Sequence, residues 1–213
     1  MRVDIIDVMG TDLTAVNAAR VSFSKRKSAL DKSDEKLLRY LADNQHWSPF
    51  AHTCLQFHIK APIFVARQLA KHQVGLTWNE ASRRYITDIP EVWSAGENWR
   101  EKASDVKQGS SDKTVASDRI VEQVYSDACK HALDTYAYLL SLGVCAEQAR
   151  AVLPMSTYTE WYWTGSVYAF SRVCKQRLDP HTQEETRVIA QRISMACRKA
   201  FPLSWSALHA LAA

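Results

Sequence analysis

The apolar positions in the early part of the chain change from a strand pattern to a helix pattern. Residues 1–8 predict an edge or core strand, and residues 11–23 predict a short helix that leads into a turn. A second helix is predicted to begin at Ser33, because the acidic residues that follow it suit the first turn of a helix. The buried stripe of that helix is predicted to consist of Leu37, Leu38 and Leu41.

Strict alternation of apolar and polar side chains at residues 53–59 predicts another strand. Its covered face is predicted to consist of Leu55, Phe57 and Ile59. Pro62 suits the first position of a helix, which is therefore predicted to run from there to about Gln73. Such a helix would place Gln68 and His72 on the same side, because they lie four positions apart.

The second half of the chain has a mainly helical pattern. The polar residues 94–117 predict a long surface loop or lid, and residues 118–142 predict the longest helix. Core contacts of that helix are predicted at Val121, Val124, Ala128, Ala132 and Leu139. Further helices are predicted at residues 146–153, 164–176 and 183–200. Thr182 and Glu185 have the spacing of a capping box, which predicts the start of the last helix.

Strands near the N-terminus and helices later in the chain predict an α+β fold, in which a mixed sheet packs with helices. The length of 213 residues is enough for one domain with a sizeable core. We therefore expect a single domain that covers residues 1–213.

Composition narrows the class of protein without identifying it. The hydrophobic content of 46% and the net charge of +4 are ordinary for a globular protein. Five scattered cysteines without a CxxC pair, and the absence of a long apolar run or a secretory signal, predict a reduced, cytoplasmic protein without membrane contacts. His46, His52 and His58 lack the spacing of metal ligands, so no metal site is expected.

Arginines recur in otherwise apolar or turn-forming segments and suggest an anionic ligand. They are Arg67, Arg83, Arg84, Arg150 and Arg177. The planar guanidinium matches phosphate and carboxylate oxygens and stays charged at any working pH. Taken singly, each arginine is better explained by a structural ion pair with one of the 23 acidic residues. A glycine-rich phosphate loop of the Walker or dinucleotide-binding type is missing from the sequence.

The segment KHQVGLTWNEASRRY, residues 71–85, resembles the signature of flavin-dependent thymidylate synthases. That signature contains an Arg-His-Arg triplet followed by Asn-Glu-x-Ser-x-Arg-Tyr. Other segments resemble further blocks of the family in the same order along the chain: HWSPF, APIFVARQ, KQGS, EQARAVLP, YTEWYWT and RLDPHTQEE. The ordered set covers most of the chain, from about Asn17 to Trp205.

The resemblance implies the reductive methylation of dUMP to dTMP. Methylenetetrahydrofolate would supply the carbon, and FAD reduced by NADPH would supply the hydride, in a homotetramer whose sites are shared between subunits. Arg177 would be the catalytic residue that activates the pyrimidine. The implied dUMP contacts are Gln68, Lys71, Glu80, Ala81, Ser82, Arg83, Arg84, Arg150 and Arg177. The implied FAD contacts are Ser48, Lys71, His72, Gln73, Glu80, Ser166, Tyr168, Arg172 and His181.

Departures from the family pattern concentrate on the implied flavin contacts. Lys71 and Gln73 replace the two outer arginines of the triplet, and Ser166, Tyr168 and Arg172 replace its usual asparagines and arginine. A lysine still offers a point charge to a pyrophosphate, but it lacks the two-pronged guanidinium. By contrast, six residues implied to bind the nucleotide substrate are retained: Gln68, Glu80, Ser82, Arg84, Arg150 and Arg177.

Two alternative functions remain open at the level of sequence. A homologue that binds flavin or nucleotide with degraded catalysis would explain the altered flavin contacts. A nucleic-acid-binding module would explain the arginines and the seven tryptophans, but the basic residues form no continuous stripe. We therefore expect small-molecule substrates and no nucleic-acid partner.

Overall fold

The alternating and periodic segments of the chain form strands and helices in a computed structural model that describes residues 1–104 and 109–209. The strands are β1 (Arg2–Met9), β2 (Cys54–Pro62), β3 (Leu76–Glu80), β4 (Arg100–Lys102), β5 (Ser110–Thr114) and β6 (Tyr158–Gly165). The helices are α1 (Asp12–Arg20), α2 (Lys32–Asp43), α3 (Ile63–Leu69), α4 (Asp118–Ser141), α5 (Ala146–Ala149), α6 (Val167–Arg177), α7 (Glu184–Ala200) and α8 (Pro202–His209). Short 3-10 helices cover Val21–Phe23, Ser48–His52 and Arg150–Val152. The predicted α+β class is confirmed. Among the described helices, none combines the length and apolar character needed to cross a membrane.

Two compact units share the chain. Unit 1 contains Met1 and residues 60–68 and 80–161, and unit 2 contains residues 2–59, 69–79 and the chain from 162 onward. The larger sheet has the strand order β1-β2-β6-β3, and β4 pairs with β5 in a separate antiparallel hairpin.

The core of unit 2 is built on strand β2, whose alternation the sequence predicted correctly. Its inward side chains Leu55, Phe57 and Ile59 are fully buried. The ring of Phe57 packs edge-on against Phe170 of α6, with 4.9 Å between centroids. Phe170 in turn contacts Trp163 of β6 at 5.4 Å. Burying side chains of this size contributes roughly 1.5–3 kcal/mol each, which fixes α6 against the sheet.

Helix α2 begins at Lys32, one residue before the predicted start at Ser33. Asp31 is its N-cap, and its carboxylate accepts a hydrogen bond from the backbone N–H of Ser33. The adjacent Asp34 is fully buried and accepts from Arg20 at 2.7 Å and from Lys27 at 2.6 Å. The prediction missed this start because an aspartate caps a helix as well as a serine does. Of the predicted stripe, Leu38 and Leu41 are buried.

Helix α3 is shorter than predicted at both ends. Strand β2 continues through Pro62, so that the helix begins at Ile63 and ends at Leu69. The predicted helical pairing of Gln68 with His72 is therefore wrong, because His72 lies beyond the last turn. Gly75 adopts a φ of +74°, in the left-handed region that favours glycine, as the chain turns into β3.

Strand β6 replaces the start of a predicted helix. The sequence pattern predicted a helix from residue 164, but Thr164 lies in β6 and Ser166 is the N-cap of α6. Trp161 and Trp163 alternate inward, which is a strand pattern. Gly165 is needed here because a Cβ would lie 2.8 Å from the carbonyl oxygen of Gly75. β6 and the chain before β3 therefore approach closely in unit 2.

Helix α4, in unit 1, packs through a different face from the one predicted. Cys129 and Tyr136 are its buried side chains, whereas the predicted core residues Val124 and Ala128 are exposed. The predicted surface loop or lid contains the β4–β5 hairpin, held to α4 where the Trp99 indole donates to the Glu122 carboxylate at 2.9 Å. Lys107 and Gln108 of the KQGS segment lie outside the described residues.

The end of the chain forms two helices, of which the sequence predicted one. Helix α7 has Gln183 as its N-cap without a side-chain bond, so the predicted capping box at Thr182 is wrong. The Thr182 hydroxyl instead donates to the carbonyl of Gln176 at 3.0 Å. Helix α8 was not predicted; the buried carboxylate of Asp12 accepts from the backbone N–H groups of Leu203 and Ser204 at its N-terminus.

Candidate functional site

The predicted site residues separate into two groups, one in each unit. Unit 1 contains Gln68, Glu80, Ala81, Ser82, Arg83, Arg84 and Arg150. Unit 2 contains Ser48, Lys71, His72, Gln73, Ser166, Tyr168, Arg172, Arg177 and His181. This separation follows the implied roles in part, because the first group was assigned to dUMP and most of the second to FAD. The exceptions are Glu80, which was assigned to both ligands, and Lys71 and Arg177, which lie in unit 2 but were assigned to dUMP.

In unit 1, four of the predicted residues line one cavity of about 330 Å³, which we call the arginine cavity. The four are Glu80, Ala81, Arg83 and Arg150. Its other charged lining residues are Lys60, Asp88, Glu91 and Glu160. The lining therefore carries both signs of charge, and its arginines can meet an anion while its carboxylates and carbonyls can meet donors on the same ligand.

Local backbone holds both guanidinium groups of the arginine cavity. Arg83 donates from a terminal nitrogen to the carbonyl of Asp88 at 2.6 Å. Arg150 donates from Nε to the carbonyl of Glu147 at 3.2 Å, within the turn that follows α5. Each bond fixes one edge of the guanidinium and orients the charged group before any ligand arrives.

Ser82 and Arg84 form a small turn beside that cavity. The Ser82 hydroxyl oxygen accepts from Nε of Arg84 at 3.2 Å and from its backbone N–H at 3.4 Å. The guanidinium of Arg84 also lies over the Tyr85 ring, 5.2 Å from its centroid. Ser82 thus orients Arg84, an arrangement that suits a binding role.

Glu80 closes strand β3 against β6. Its carboxylate accepts from the Thr159 hydroxyl at 2.7 Å, and the next backbone N–H, of Ala81, donates to the carbonyl of Glu160 at 2.9 Å. Gln68 lies on α3 and is not among the residues that line the arginine cavity.

In unit 2, a cavity of about 170 Å³ brings together much of the altered triplet, and we call it the histidine cavity. Lys71, His72 and Gln73 reach it from the turn after α3, and Arg172 and Gln176 reach it from α6. Its described lining contains two cations and two amides but no carboxylate. This composition favours an anion.

Arg177, the last residue of α6, contacts the same histidine. Its Nε donates to Nε2 of His72 at 2.9 Å, and both residues are partly buried. Burial lowers the pKa of His72 below its ordinary value of 6.5, and the charges of Arg177 and then Arg172 lower it further. His72 is therefore neutral at pH 7.

The other predicted flavin contacts of unit 2 lie away from the histidine cavity, whereas Glu80, which was also predicted to contact the flavin, lies in unit 1. Tyr168 lines a third cavity of about 230 Å³ and packs against Trp47, with 5.9 Å between ring centroids. Ser48 follows Trp47 and is exposed. The Ser166 hydroxyl accepts from the Ala169 N–H at 3.2 Å and so caps α6.

His181 is exposed in the turn before α7. Its backbone N–H donates to the Asp179 carboxylate at 2.8 Å. Neither His181 nor Ser166 is among the lining residues of the histidine cavity.

Gln176 lines the histidine cavity but was not predicted as a site residue. It lies four positions after Arg172 on α6, and residues at this spacing share one side of a helix. The i,i+4 spacing of Arg172 and Gln176 was the signal available in the sequence. The helix was predicted to begin at residue 164, which lies in β6, so the side of the helix that faces the cavity was not identified. Within the described part of the chain, no cluster of His, Cys, Asp and Glu has the makings of a metal site.

Known proteins are similar to this chain over almost its whole length. The family model of the thymidylate synthase complementing protein matches residues 4–203. The flavin-dependent thymidylate synthase of Thermosipho melanesiensis is 36% identical over 200 residues, which cover 93% of this chain and 86% of that protein. A protein of the same name from Thermus thermophilus is 37% identical over 212 residues, covering 97% of this chain and 75% of its own.

A solved structure extends the likeness to the fold. The UMP/dUMP methylase PolB from Streptomyces cacaoi, bound with 5-Br dUMP, superimposes with a TM-score of 0.87 at 30% sequence identity. The match covers 99% of this chain and 95% of that chain. The resemblance drawn from the sequence is confirmed, and the chain belongs to the flavin-dependent thymidylate synthase family of enzymes.

Proposed function

We propose that this protein methylates dUMP to dTMP, with methylenetetrahydrofolate as the carbon donor and FAD, reduced by NADPH, as the hydride carrier. Membership of the family supports the reaction type. The likeness to PolB, described as a UMP/dUMP methylase and bound with 5-Br dUMP, supports a uridine nucleotide as substrate.

The observation that carries this proposal is the arginine cavity. Arg83 and Arg150 both line it, each held in place by a backbone carbonyl, next to the turn in which Ser82 orients Arg84. Oriented guanidinium groups are suited to a phosphate, because they offer parallel N–H donors and a fixed charge. We assign the phosphate of dUMP to Arg150 and Arg84, with Ser82 as a hydroxyl donor. Gln68, Glu80, Ala81 and Arg83 complete the proposed dUMP contacts.

The histidine cavity fits part of a flavin dinucleotide. Lys71 and Arg172 supply positive charge, Gln73 and Gln176 supply amide groups, and the described lining has no carboxylate to repel a pyrophosphate. We propose these residues, with His72, as FAD contacts, and we extend the contacts to Ser48, Glu80, Ser166, Tyr168 and His181 from the resemblance. FAD supplies hydride chemistry when bound.

Arg177 is the proposed activating residue. A guanidinium beside the N3–O2 edge of uracil stabilises negative charge on the ring, which alters the reactivity of C5 and C6. The bond from its Nε to His72 holds the side chain in one orientation. A cysteine nucleophile is unnecessary in this scheme, and burial raises the pKa of the Cys174 thiol.

We further propose a homotetramer in which residues 1–213 act as one domain. Helix α4 exposes Ile120, Val124 and Tyr138, and its C-cap Leu142 is exposed as well, each of the four by more than 60%. Association of copies would remove this surface from water. The five free cysteines support our assignment to a reducing, cytoplasmic compartment.

The test is a tritium-release assay with dUMP labelled at C5, in the presence of methylenetetrahydrofolate, FAD and NADPH. We expect release and dTMP formation that depend on every component. Parallel reactions with UMP decide between the two nucleotides named for PolB. FAD and dUMP binding without turnover under any of these conditions would contradict the proposal and favour a homologue with degraded catalysis.

A further inference from the structure

A hydrogen bond between two predicted site residues indicates how one of them is oriented. Arg177 Nε donates to His72 Nε2 at 2.9 Å, although the residues are 105 positions apart in sequence. An arginine can only donate, so Nε2 must carry a free lone pair. A neutral His72 therefore carries its proton on Nδ1, and a doubly protonated ring cannot accept this bond.

The surroundings of His72 favour the neutral ring. The charged side chains that face it are Arg172 and Arg177 from α6 and Lys71 from its own turn, all positive. Strand β3 contributes Leu76 to the cavity. Adding a second proton, on Nε2, would turn the ring into an imidazolium cation. That cation would lie next to a guanidinium that never loses its charge.

The histidine itself is well anchored. Its backbone N–H donates to the carbonyl of Leu69 at 3.0 Å, and Leu69 is fully buried. The following turn is closed by the bond from the Leu76 N–H to the Gln73 carbonyl at 3.2 Å. The backbone that carries the His72 ring is thus held in place, whereas arginine side chains carry about 2 kcal/mol of rotamer entropy when they are unrestrained.

We propose that His72 is the positioning residue for Arg177, acting as an uncharged acceptor that sets the plane of the guanidinium. The bond at Nε does not itself use the two terminal nitrogens, which are the pair suited to two adjacent atoms of a ring edge. The consequence for turnover rests on the activating role proposed for Arg177. Protonation of His72 would break the bond at Nε and remove this constraint on the guanidinium plane, so the arrangement requires pH values above the depressed pKa of His72.

The first experiment observes the ring directly in the free protein. Histidine ring nitrogens labelled with ¹⁵N report tautomer and pKa by long-range proton–nitrogen NMR, with His72 assigned by its absence in His72→Gln. We expect the proton on Nδ1 at pH 7.5 and a pKa below 6.5. Arg172→Asn should raise that pKa and keep the tautomer. A proton on Nε2, or a pKa at or above the ordinary value, would overturn the proposal whether or not the protein turns over dUMP.

The second experiment measures kinetics at saturating FAD. His72→Leu removes the acceptor and should lower kcat by roughly 10²-fold, the scale of a misplaced catalytic group, with little change in KM for dUMP. His72→Gln keeps an oxygen acceptor that does not titrate. It should recover most of kcat and lose the acid limb of the kcat–pH profile.

Two outcomes of the kinetic experiment would overturn the positioning role. One is a Gln variant as impaired as the Leu variant while both remain folded by circular dichroism. The other is a Leu variant with weaker FAD binding and normal kcat at saturation, which would make His72 a flavin contact alone. If wild type itself shows no turnover, the proposed function fails, and the NMR experiment still decides the hydrogen bond.

Discussion

The arginine cavity and the histidine cavity hold their guanidinium groups in different ways. In the arginine cavity, Arg83 and Arg150 donate to backbone carbonyls, which do not titrate. At the histidine cavity, Arg177 donates to an imidazole, whose protonation state depends on pH. The first arrangement gives constant charge and orientation suited to binding a phosphate. The second gives an orientation that depends on a neutral histidine, which suits a group that takes part in chemistry.

Departures from the family sequence pattern also differ between the two cavities. Most residues assigned to dUMP keep the family pattern, whereas Lys71, Gln73 and Arg172 depart from it. The structure shows that these three line one cavity. Two guanidinium groups are lost from the triplet, but Lys71 keeps one positive charge and Arg172 on α6 supplies another, so the described lining of the cavity keeps two cations. The altered residues can be understood as exchanges within one cavity.

Arg177→Lys is expected to have the largest effect, and it tests whether Arg177 acts in catalysis. Arg177→Lys keeps the charge but loses the planar donor pair, and it cannot reproduce the geometry of the Nε bond to His72. We expect kcat to fall by about 10²–10³ with a smaller change in KM for dUMP, as for loss of one preorganised donor. Steady-state kinetics at saturating folate, FAD and NADPH provide the measurement. A raised KM with unchanged kcat would make Arg177 one more anion contact and remove the contrast between the cavities.

Ser82→Ala should have the next largest effect, on binding. The substitution removes a proposed donor to the phosphate and the acceptor that orients Arg84. We expect dUMP affinity to weaken by roughly 1–3 kcal/mol, the range for a lost buried hydrogen bond, while turnover remains measurable. Isothermal titration with dUMP gives the affinity, and Ser82→Thr is the control that keeps a hydroxyl. Complete loss of turnover at saturating dUMP in a folded variant would contradict a binding role.

Arg150→Lys tests the proposed phosphate contact in the arginine cavity and is to be compared with Arg177→Lys. A phosphate contact is made equally in the ground state and the transition state, so its weakening should raise KM and leave kcat unchanged. Lysine retains the charge, and we expect an increase in KM of about tenfold, or 1.4 kcal/mol. The same kinetic assay used for Arg177→Lys makes the two variants directly comparable. A fall in kcat equal to that of Arg177→Lys would show that the two arginines do not differ in role.

The local elements of this fold were predictable from sequence, and their exact ends were less so. The buried face of β2 follows from alternation within one short segment, and the ends of α4 follow from Asp118 and Gly143. The start of α3 was misplaced because Pro62 is compatible with the last position of a strand as well as the first of a helix. The buried face of α4 was misjudged because its apolar residues occur on more than one side.

The candidate site was predictable as a set of residues but not as two cavities. Ordered motifs identified Glu80, Arg83 and Arg150, which line the arginine cavity together. The bond between His72 and Arg177 spans 105 positions, and no local pattern encodes such a pairing. The partnership arises because β3, β6 and α6 pack around one aromatic core. Gly165 contributes by allowing β6 to pass close to Gly75.

The smallest expected effect concerns the charge that Arg172 brings to the histidine cavity. We expect the protein to bind FAD in preference to FMN, because the cavity offers Lys71 and Arg172 to the phosphates of a dinucleotide. Arg172 is exposed, so its contribution is screened by solvent. Arg172→Asn should therefore weaken FAD binding by about 1 kcal/mol, or roughly fivefold, and should reduce its dependence on salt.

Lys175→Gln is the matched control for Arg172→Asn, because Lys175 is an exposed cation on the same helix that lines the third cavity with Trp47 and Tyr168. It should leave FAD affinity unchanged if the effect of Arg172 is local. Flavin fluorescence titrations with FAD, FMN and riboflavin at two ionic strengths separate phosphate contacts from ring contacts. If Arg172→Asn weakened riboflavin binding as much as FAD binding, Arg172 would contact the flavin ring. If Lys175→Gln weakened FAD binding as much as Arg172→Asn does, the effect would come from the general positive charge of the surface. Either result would remove the argument that Arg172 compensates for the altered triplet.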